Sequence, residues 1–375
     1  MDIVGPELKD ILKKVENGNR LSFDDGVRLY QSKDILSLGY MANIIRERKN
    51  GELAYFITNG HINYTNICAN RCRFCAFSRS DGEPGAYTLT LEEILEKGKT
   101  FLKKNITEFH IVGGLHPELP FNYYIEMLSS LKKESPQVHI QAFTAVEISH
   151  LAKIAGLSIK DTLTKLKEAG LGSIPGGGAE VFSQRVREYL CKDKTGKEEW
   201  LEVMRIAHEL GINSNATMLY GHIETIEERV DHLIALRKMQ DRTGGFLSFI
   251  PLAFHPKNTE LDSLPDTTGL EDLKAIAVSR LMLDNFPHIK AFWIMIGTKL
   301  AQVSLSFGSD DLDGTVIEEK ITHSAGASTE EYISKSDLIR LIKEAGREPV
   351  ERDTVYNKVQ SSKFKVKNEK LKMKN

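Results

Sequence analysis

Residues 68–75 form the run Cys68-Ala69-Asn70-Arg71-Cys72-Arg73-Phe74-Cys75, which contains three of the four cysteines in the 375-residue chain. Thiolates are soft ligands that select zinc, Cu(I) or the iron of iron–sulfur clusters. A run this tight cannot form internal disulfides without strain, because bridged Cα atoms need room. An iron–sulfur cube usually takes four protein thiolates, so three leave one iron open. The spacing C-x3-C-x2-C therefore predicts a cluster with one corner at which a small molecule can bind and react.

Other interpretations of the cysteine run remain open. His61 could close a structural zinc site, although zinc ligands tend to come as two C-x2–4-C or C…H pairs and no second pair is present. The remote Cys191 could close an electron-transfer cluster, but it lies among charged residues at a predicted helix end and is more simply an incidental thiol. Chance spacing is the third alternative, and the scarcity of cysteines disfavours it.

The composition is that of an ordinary globular protein, with 41% hydrophobic and 27% charged residues. A net charge of −2 gives no electrostatic case for nucleic acid binding. We expect no membrane span, because no run of 18 apolar residues occurs. The first residues lack the basic then apolar order of a secretory signal, and clustered unpaired cysteines fit a reducing compartment, so we expect a cytoplasmic protein.

From Gly60 onward, short apolar strands alternate with helical patterns of roughly ten to fifteen residues, which is typical of βα units and a parallel sheet. The pattern predicts an α/β fold, a (β/α)8 TIM-type barrel at residues 61–308, with a doubly wound open sheet as the alternative. The predicted strands are His61–Thr65, Glu108–Val112, Val138–Phe143, Gly172–Ile174, Asn213–Met218, Leu247–Pro251, Lys290–Ile294 and Val303–Phe307. The predicted helices are Leu91–Lys104, Phe121–Glu134, Ser158–Ala169, Lys197–Leu210, Ile226–Asp241 and Leu270–Asn285.

Three further segments flank the barrel. Residues 1–60 are predicted to form a helical N-terminal cap. Residues 309–356 are expected to complete or cover the barrel as a C-terminal segment with a helix at Lys335–Ala345. Residues 357–375 carry a lysine-rich sequence with little apolar content and are predicted to form a disordered tail.

Polar residues and glycines follow most of the predicted strands, at the end where α/β sheets bind their ligands. His116, His222 and His255 are candidate acid–base groups or donors to a substrate carboxylate, each with a structural role as its alternative. Asp310 and Asp311 are expected either to contact substrate or to cap a turn. The remaining histidines are taken as structural, namely His110, His139, His150, His208, His232, His288 and His323.

The cysteine run with its flanks, Asn63–Cys68 before it and Arg73–Phe77 within and after it, resembles radical S-adenosylmethionine (SAM) enzymes. It is similar to the branch that contains the futalosine-pathway enzymes of menaquinone biosynthesis and the deazaflavin synthase subunits. The amino-acid sequence outside the cysteine run resembles that of the aminofutalosine synthases within that branch, and the likeness runs from about Asn63 to about Tyr356. The stretches that carry this likeness are Gln141–Ile148, Ser173–Phe182, Ser214–His222 and Ile250–Pro256.

This resemblance implies a [4Fe-4S] cluster on Cys68, Cys72 and Cys75, with SAM as co-substrate on the open iron. It implies that Gly113 and Gly114 meet the methionyl amino group of SAM, and it places Phe74 with the cofactor. Gly176–Gly178 either cradle the cofactor or turn the chain. Glu180 either contacts ribose hydroxyls or caps the next helix.

The implied reaction adds the 5′-deoxyadenosyl radical to 3-[(1-carboxyvinyl)oxy]benzoate, followed by rearrangement and decarboxylation to 6-amino-6-deoxyfutalosine. Substrate or proton contacts are expected from Arg79, the three candidate histidines, Thr144, Glu147, Asn215 and Thr217, with a rim hydrogen bond as the alternative for Glu147. An electron donor such as flavodoxin or ferredoxin is implied. The alternatives are a dehypoxanthine futalosine cyclase, a deazaflavin (FO) synthase subunit and, more distantly, a non-catalytic iron–sulfur or zinc protein.

Overall fold

The computed structural model describes residues 4–359. Residues 360–375, most of the predicted lysine-rich tail, lie outside the described residues. At residues 357–359, the first residues of that predicted tail, the Val359 amide still donates to the Glu351 carbonyl, at 2.9 Å. No helix in this part of the chain is long and apolar enough to cross a membrane.

The described chain alternates between strands and helices. The strands are β1 Leu53–Ile57, β2 Asn59–Ile62, β3 Glu108–Ile111, β4 His139–Ala142, β5 Ser173–Ile174, β6 Asn213–Tyr220, β7 Phe246–Ala253, β8 His288–Ile289, β9 Asp311–Gly314 and β10 Glu348–Glu351. The helices are α1 Lys9–Glu16, α2 Phe23–Gln31, α3 Ile35–Asn50, α4 Leu91–Leu102, α5 Phe121–Glu134, α6 Ala145–Ala155, α7 Ile159–Glu168, α8 Gln184–Cys191, α9 Lys197–Glu209, α10 Ile226–Thr243, α11 Gly269–Met282, α12 Trp293–Ile296, α13 Thr298–Ser304, α14 Ile321–Ser324 and α15 Lys335–Glu344.

Strands β2 to β8 form one parallel sheet in chain order, each joined to the next by a helical crossover. This order winds in one direction around a curled sheet, as in a partial barrel, so the doubly wound alternative is wrong. The first six predicted strands and the six predicted helices are confirmed, with shifts at their ends. Local chain chemistry fixes several helix starts: Thr90 and Thr225 each form a capping box, in which side chain and backbone exchange hydrogen bonds across one turn.

The last two predicted strands are largely wrong. The predicted strand Lys290–Ile294 begins after β8 has ended, and α12 begins at Trp293. The predicted strand Val303–Phe307 begins inside α13. Short apolar runs do not distinguish a buried strand from a buried helix, and here the helix forms.

The gap between the two edges of the sheet is closed by the segment that follows α13. Lys290, just after β8, pairs with Asp311, and Gly60 of β2 pairs with Ile317, each through a single parallel bridge. Closure therefore rests on isolated bridges and not on a continuous eighth strand.

A second, three-stranded parallel sheet has the order β10-β1-β9. It includes part of the closing segment, because β9 begins at Asp311. Its middle strand, β1, falls inside the stretch that was predicted to be a helical cap. The helices of that stretch pack on the outer helices of the barrel, α3 on α11 and α2 on α10 and α11.

Candidate active site

A cavity of about 340 Å³ opens at the carboxyl ends of the parallel strands and continues down between them. The loops after β2, β3, β4, β5 and β7 contribute its upper wall, and side chains of the strands themselves line its lower part. The sheet therefore places its binding cavity where parallel α/β sheets place their ligands.

The loop that carries the cysteines is held by its own backbone and by its neighbours. The Cys68 amide donates to the Arg79 carbonyl and the Ala69 amide to the Leu115 carbonyl, both at 3.0 Å. The Arg79 guanidinium turns back onto the carbonyls of Ala76 and Ser78, both at 2.8 Å. Arg79 therefore braces this loop, and it does not line the cavity, where a substrate contact was expected.

Cys68, Cys72 and Cys75 are free thiols of intermediate exposure, and all three line the cavity. Within residues 4–359, no three His, Cys, Asp or Glu side chains converge as ligands of a single ion. His61, the proposed zinc ligand, stacks on His110 instead, with ring centroids 4.5 Å apart. A cube spreads its thiolates over separate iron atoms, so three thiols along one wall fit a [4Fe-4S] cluster better than they fit zinc.

Cys191 lies at the end of α8 and is 4% exposed, and the neighbouring Cys72 thiol is the main cause that lowers its pKa. It is therefore not the incidental thiol that the sequence suggested. It does not line the cavity, so it backs one of the three cysteines without reaching the space a ligand would occupy.

Gly113 and Gly114 allow the end of β3 to approach the cysteine loop closely. A Cβ on Gly114 would lie 2.2 Å from the Ile67 carbonyl oxygen, and one on Gly113 would lie 2.8 Å from the Tyr64 ring. The Gly114 amide donates to the Thr65 carbonyl at 2.8 Å. Both glycines line the cavity. The sequence predicted that the backbone at these glycines closely approaches another group, and in the structure one such group is the cysteine loop.

Glu180 and Lys194 form a mostly buried ion pair on the cavity wall. The Lys194 ammonium also lies 5.3 Å from the centroid of the Phe74 ring, inside the cysteine run. Burial by itself lowers the pKa of Lys194, but the charge and hydrogen bond of Glu180, together with the charges of Cys72 and Cys191, raise that pKa above its ordinary value. The pair fixes a charged acceptor and an aromatic face beside the cysteines.

Thr144 and Glu147 form the capping box of α6, a helix that the sequence analysis did not predict. The Glu147 carboxylate accepts hydrogen bonds from the Tyr64 hydroxyl at 2.8 Å, from the Gly113 amide at 3.0 Å and from the Thr144 amide at 2.7 Å. Burial raises the pKa of Glu147, and these hydrogen bonds oppose the rise. Both residues line the cavity, but the carboxylate is engaged in tying three loops together.

Three other candidates also line the cavity. The Thr217 hydroxyl donates to the Gly176 carbonyl at 2.8 Å, and the His255 ring bonds to the Met295 carbonyl at 3.1 Å. The Asn215 side-chain oxygen accepts from the Ser248 hydroxyl at 2.8 Å. Gly176 packs against the backbone of Ala216, where a Cβ would lie 2.7 Å away, so part of the glycine run serves packing.

The structure places four other candidates outside the cavity. His116 accepts hydrogen bonds from two backbone amides of its own turn, and His222 is buried against Glu224, with Nδ1 2.7 Å from the carboxylate. Asp310 is buried against Arg280 and His288, and Asp311 against Arg352. The contacts of these four residues favour the structural alternative that the sequence left open for each, because strand-end polar residues can equally form buried ion pairs and turns.

The lower part of the cavity is lined by polar side chains for which the sequence predicted almost no role. We call them the inner polar layer: His61, Glu108, His110, Gln141, Asn215 and Lys290. Of these, only Asn215 was expected to bind a ligand, and His110 was taken as structural. Alternation of polar and apolar residues in β2, β3 and β4 was the available signal, because strands buried on both faces are normally apolar throughout.

Two family models match the chain. The Radical SAM superfamily matches residues 62–236, and the CofH/MqnC C-terminal region matches residues 243–364. An aminodeoxyfutalosine synthase of Thermus thermophilus is 51% identical over 94% of this chain and 96% of its own length. The Streptomyces coelicolor protein of the same name is 45% identical over 93% of each chain. A 5-amino-6-(D-ribitylamino)uracil–L-tyrosine 4-hydroxyphenyl transferase of Methanopyrus kandleri is 44% identical over 82% of this chain and 85% of its own.

Solved structures share the architecture at low identity. Methylornithine synthase superposes with a TM-score of 0.73 at 21% identity, covering 90% of this chain and 97% of its own. The FeFe-hydrogenase maturase HydG from Carboxydothermus hydrogenoformans gives 0.71 at 18%, covering 93% and 80%. At these identities the likeness concerns the fold, a curled parallel sheet with helices on its outer face.

Proposed function

The chain belongs to the aminodeoxyfutalosine synthase family of the radical SAM superfamily, and on that premise we propose that it joins the 5′-deoxyadenosyl group of SAM to 3-[(1-carboxyvinyl)oxy]benzoate. The observation that carries the proposal is the cavity itself. Three free cysteines line its upper wall, and the same cavity continues below them between the strands.

Cys68, Cys72 and Cys75 are the residues that would hold the [4Fe-4S] cluster, which leaves one iron for the amino and carboxylate groups of SAM. When bound, the reduced cluster supplies the electron that cleaves the C5′–S bond of SAM. The protein contributes position and exclusion of water.

The upper wall offers complementary contacts for SAM. Gly113 and Gly114 leave their backbone free of side chains next to the cysteine loop. Glu147 fixes this backbone through its bond to the Gly113 amide, so we assign it a positioning role. Glu180 presents a carboxylate that Lys194 holds in place and that suits ribose hydroxyls as partners.

The wall formed by the end of β7 and the segments after β7 and β8 suits an aromatic co-substrate. Its side chains in the cavity include Leu252, Phe254, Phe292 and Met295, so an aryl ring would meet apolar and aromatic side chains. In the proposed reaction, C5′ of the adenosyl group forms a bond to the vinyl carbon after the C5′–S bond to methionine breaks, the resulting radical rearranges, and the carboxylate of the vinyl group leaves as carbon dioxide. Loss of carbon dioxide releases the electron that began the reaction, which would return to the cluster. Excluding water from this part of the cavity protects the reactive intermediates from side reactions.

The reaction needs a one-electron donor, for which we propose a flavodoxin or a ferredoxin. A reducing compartment such as the cytoplasm keeps the three cysteines available as thiolates. The identity of the electron donor is tested by replacing dithionite with a purified flavodoxin or ferredoxin and its reductase. The rate of SAM cleavage is then measured.

The decisive experiment uses the whole protein, reconstituted anaerobically with iron and sulfide. SAM, dithionite and 3-[(1-carboxyvinyl)oxy]benzoate are added, and products are followed by mass spectrometry. We expect one product that contains both adenine and the benzoate, and release of methionine. A Cys72→Ser variant, which removes one cluster ligand, should form none.

Two outcomes would redirect the assignment. Release of free 5′-deoxyadenosine, with the benzoate unchanged, would keep the radical chemistry and reject this substrate. Because the Methanopyrus kandleri transferase is 44% identical, tyrosine with 5-amino-6-(D-ribitylamino)uracil is the second substrate pair to supply. Turnover of that pair in place of the benzoate would assign the activity that the transferase's name describes.

A further inference from the structure

The inner polar layer is formed by strand register. His61 of β2 pairs with His110 of β3, and His110 pairs with Gln141 of β4, so these three side chains share one level of the sheet. Parallel barrels normally fill this level with branched apolar side chains. Polar side chains at the same level of neighbouring strands, all lining one cavity, indicate a binding surface instead of a packed core.

Most members of this layer already satisfy one another. The Gln141 amide donates to the Ser173 hydroxyl at 3.1 Å and accepts from Asn215 at 3.5 Å. Glu108 accepts from Asn59 at 3.3 Å and lies 3.8 Å from His110 Nδ1. Burial alone raises the pKa of Glu108, but the hydrogen bond and charge of His110 and the charge of Lys290 bring it well below its ordinary value. Glu108 is therefore an anion whose negative charge is balanced by His110 and Lys290.

Lys290 is the member whose hydrogen-bond donors are least used. Its side chain is 5% exposed and lines the cavity. Among residues 4–359 it makes one ion pair, 3.6 Å from Asp313, and its ammonium donates no hydrogen bond. A lysine ammonium has three N–H donors, so those of Lys290 are available to a ligand in the cavity.

His61 is the second unsatisfied member. It is 7% exposed, lines the same cavity, and its Nε2 atom has no hydrogen-bond partner within the described residues. Burial, and next the charge of His110, lower its pKa well below the ordinary value, so the ring is neutral and carries one N–H. It lies across the barrel closure from Lys290, because Gly60 and Lys290 bridge the two ends of residues 311–317.

We propose that Lys290 and His61 form the subsite for the ring carboxylate of the aromatic co-substrate. This inference rests on the proposed function. The vinyl group must face the adenosyl donor at the cysteine loop, and the ring carboxylate lies at the other end of that molecule. Position 61 lies in β2, before the loop that carries the cysteines, and position 290 lies just after β8; both line the cavity. The charged end of the ligand would therefore reach the donors of the inner polar layer.

The experiment measures binding to the reconstituted protein with SAM and without reductant, by anaerobic calorimetry. The two ligands are 3-[(1-carboxyvinyl)oxy]benzoate and 2-phenoxyacrylate, which lacks only the ring carboxylate. We expect the wild type to bind the first ligand about 10- to 100-fold more tightly, as hydrogen bonds to a charged group predict. Lys290→Met should remove this preference, and Lys290→Arg should keep most of it.

Lys299→Met is the matched control, because Lys299 is exposed on α13 and outside the cavity; it should discriminate like the wild type. Cluster content and SAM affinity establish that each variant is folded. A folded Lys290→Met variant that keeps the full preference would overturn the subsite, as would a wild type that binds both ligands equally. Where the Lys290→Met variant does not fold, a wild type that binds both ligands equally still overturns the subsite. Failure of the proposed function looks different: the wild type would bind neither ligand and form no adduct.

Discussion

Gly114→Ala tests whether the fold positions the cluster through close contact between β3 and the cysteine loop. A Cβ at this position would lie 2.2 Å from the Ile67 carbonyl oxygen and 3.1 Å from Cys68 Cβ. Both partners belong to the loop, and real Cβ atoms hardly ever come closer than 3.0 Å, so the loop must move by about 0.8 Å. Metal–ligand distances are held within about 0.2 Å, so a shift of this size exceeds what a cluster ligand tolerates.

We expect Gly114→Ala to lower the free energy of unfolding by about 1–3 kcal/mol, the usual cost of overpacking. We also expect it to lower the iron and sulfide content after reconstitution, measured chemically and by the visible absorption of the cluster. Gly269→Ala is the control, because its Cβ would make only ordinary contacts at 3.6 Å with Leu300. A Gly114→Ala protein with full cluster content and unchanged stability would refute the reasoning.

Three further predictions concern Glu147, Lys194 and His323. Glu147→Gln should lower the free energy of unfolding by about 1.5–3 kcal/mol, measured in urea, because it weakens charge-assisted bonds to two amides and two hydroxyls. Lys194→Met should cost about 3–5 kcal/mol by leaving the Glu180 carboxylate buried and unpaired, and adding Glu180→Gln should recover part of the loss. The hydrogen bond to Glu319 raises the pKa of His323 from 6.5 to about 9. This stabilisation is complete below about pH 6.5 and is lost as pH rises through 9, so His323→Asn should flatten urea stability over that range. Equal slopes for both proteins would contradict it.

The cysteine run and the alternation of strands and helices are local features, and both could be predicted from sequence. Spacing alone places three thiols on one short loop, and the period of apolar residues distinguishes most helices from strands. The last two predicted strands were largely wrong because their apolar runs are too short to carry a period. Thr144 and Glu147 have the spacing of the capping box that begins helix α6. The sequence nevertheless predicts no helix there, because both residues were interpreted as contacts to substrate or protons.

Sequence by itself determined the ligand set for the cluster, the carboxyl-end location of the cavity and the family resemblance, because each depends on residues close together in the chain. Only the tertiary structure decided which polar residues face the cavity. Asp310 and Lys290 are both buried and charged, yet Asp310 pairs with Arg280 away from the cavity, whereas Lys290 lines the cavity. That difference depends on strand register and on how residues 311–317 close the barrel, and these are contacts between segments far apart in sequence.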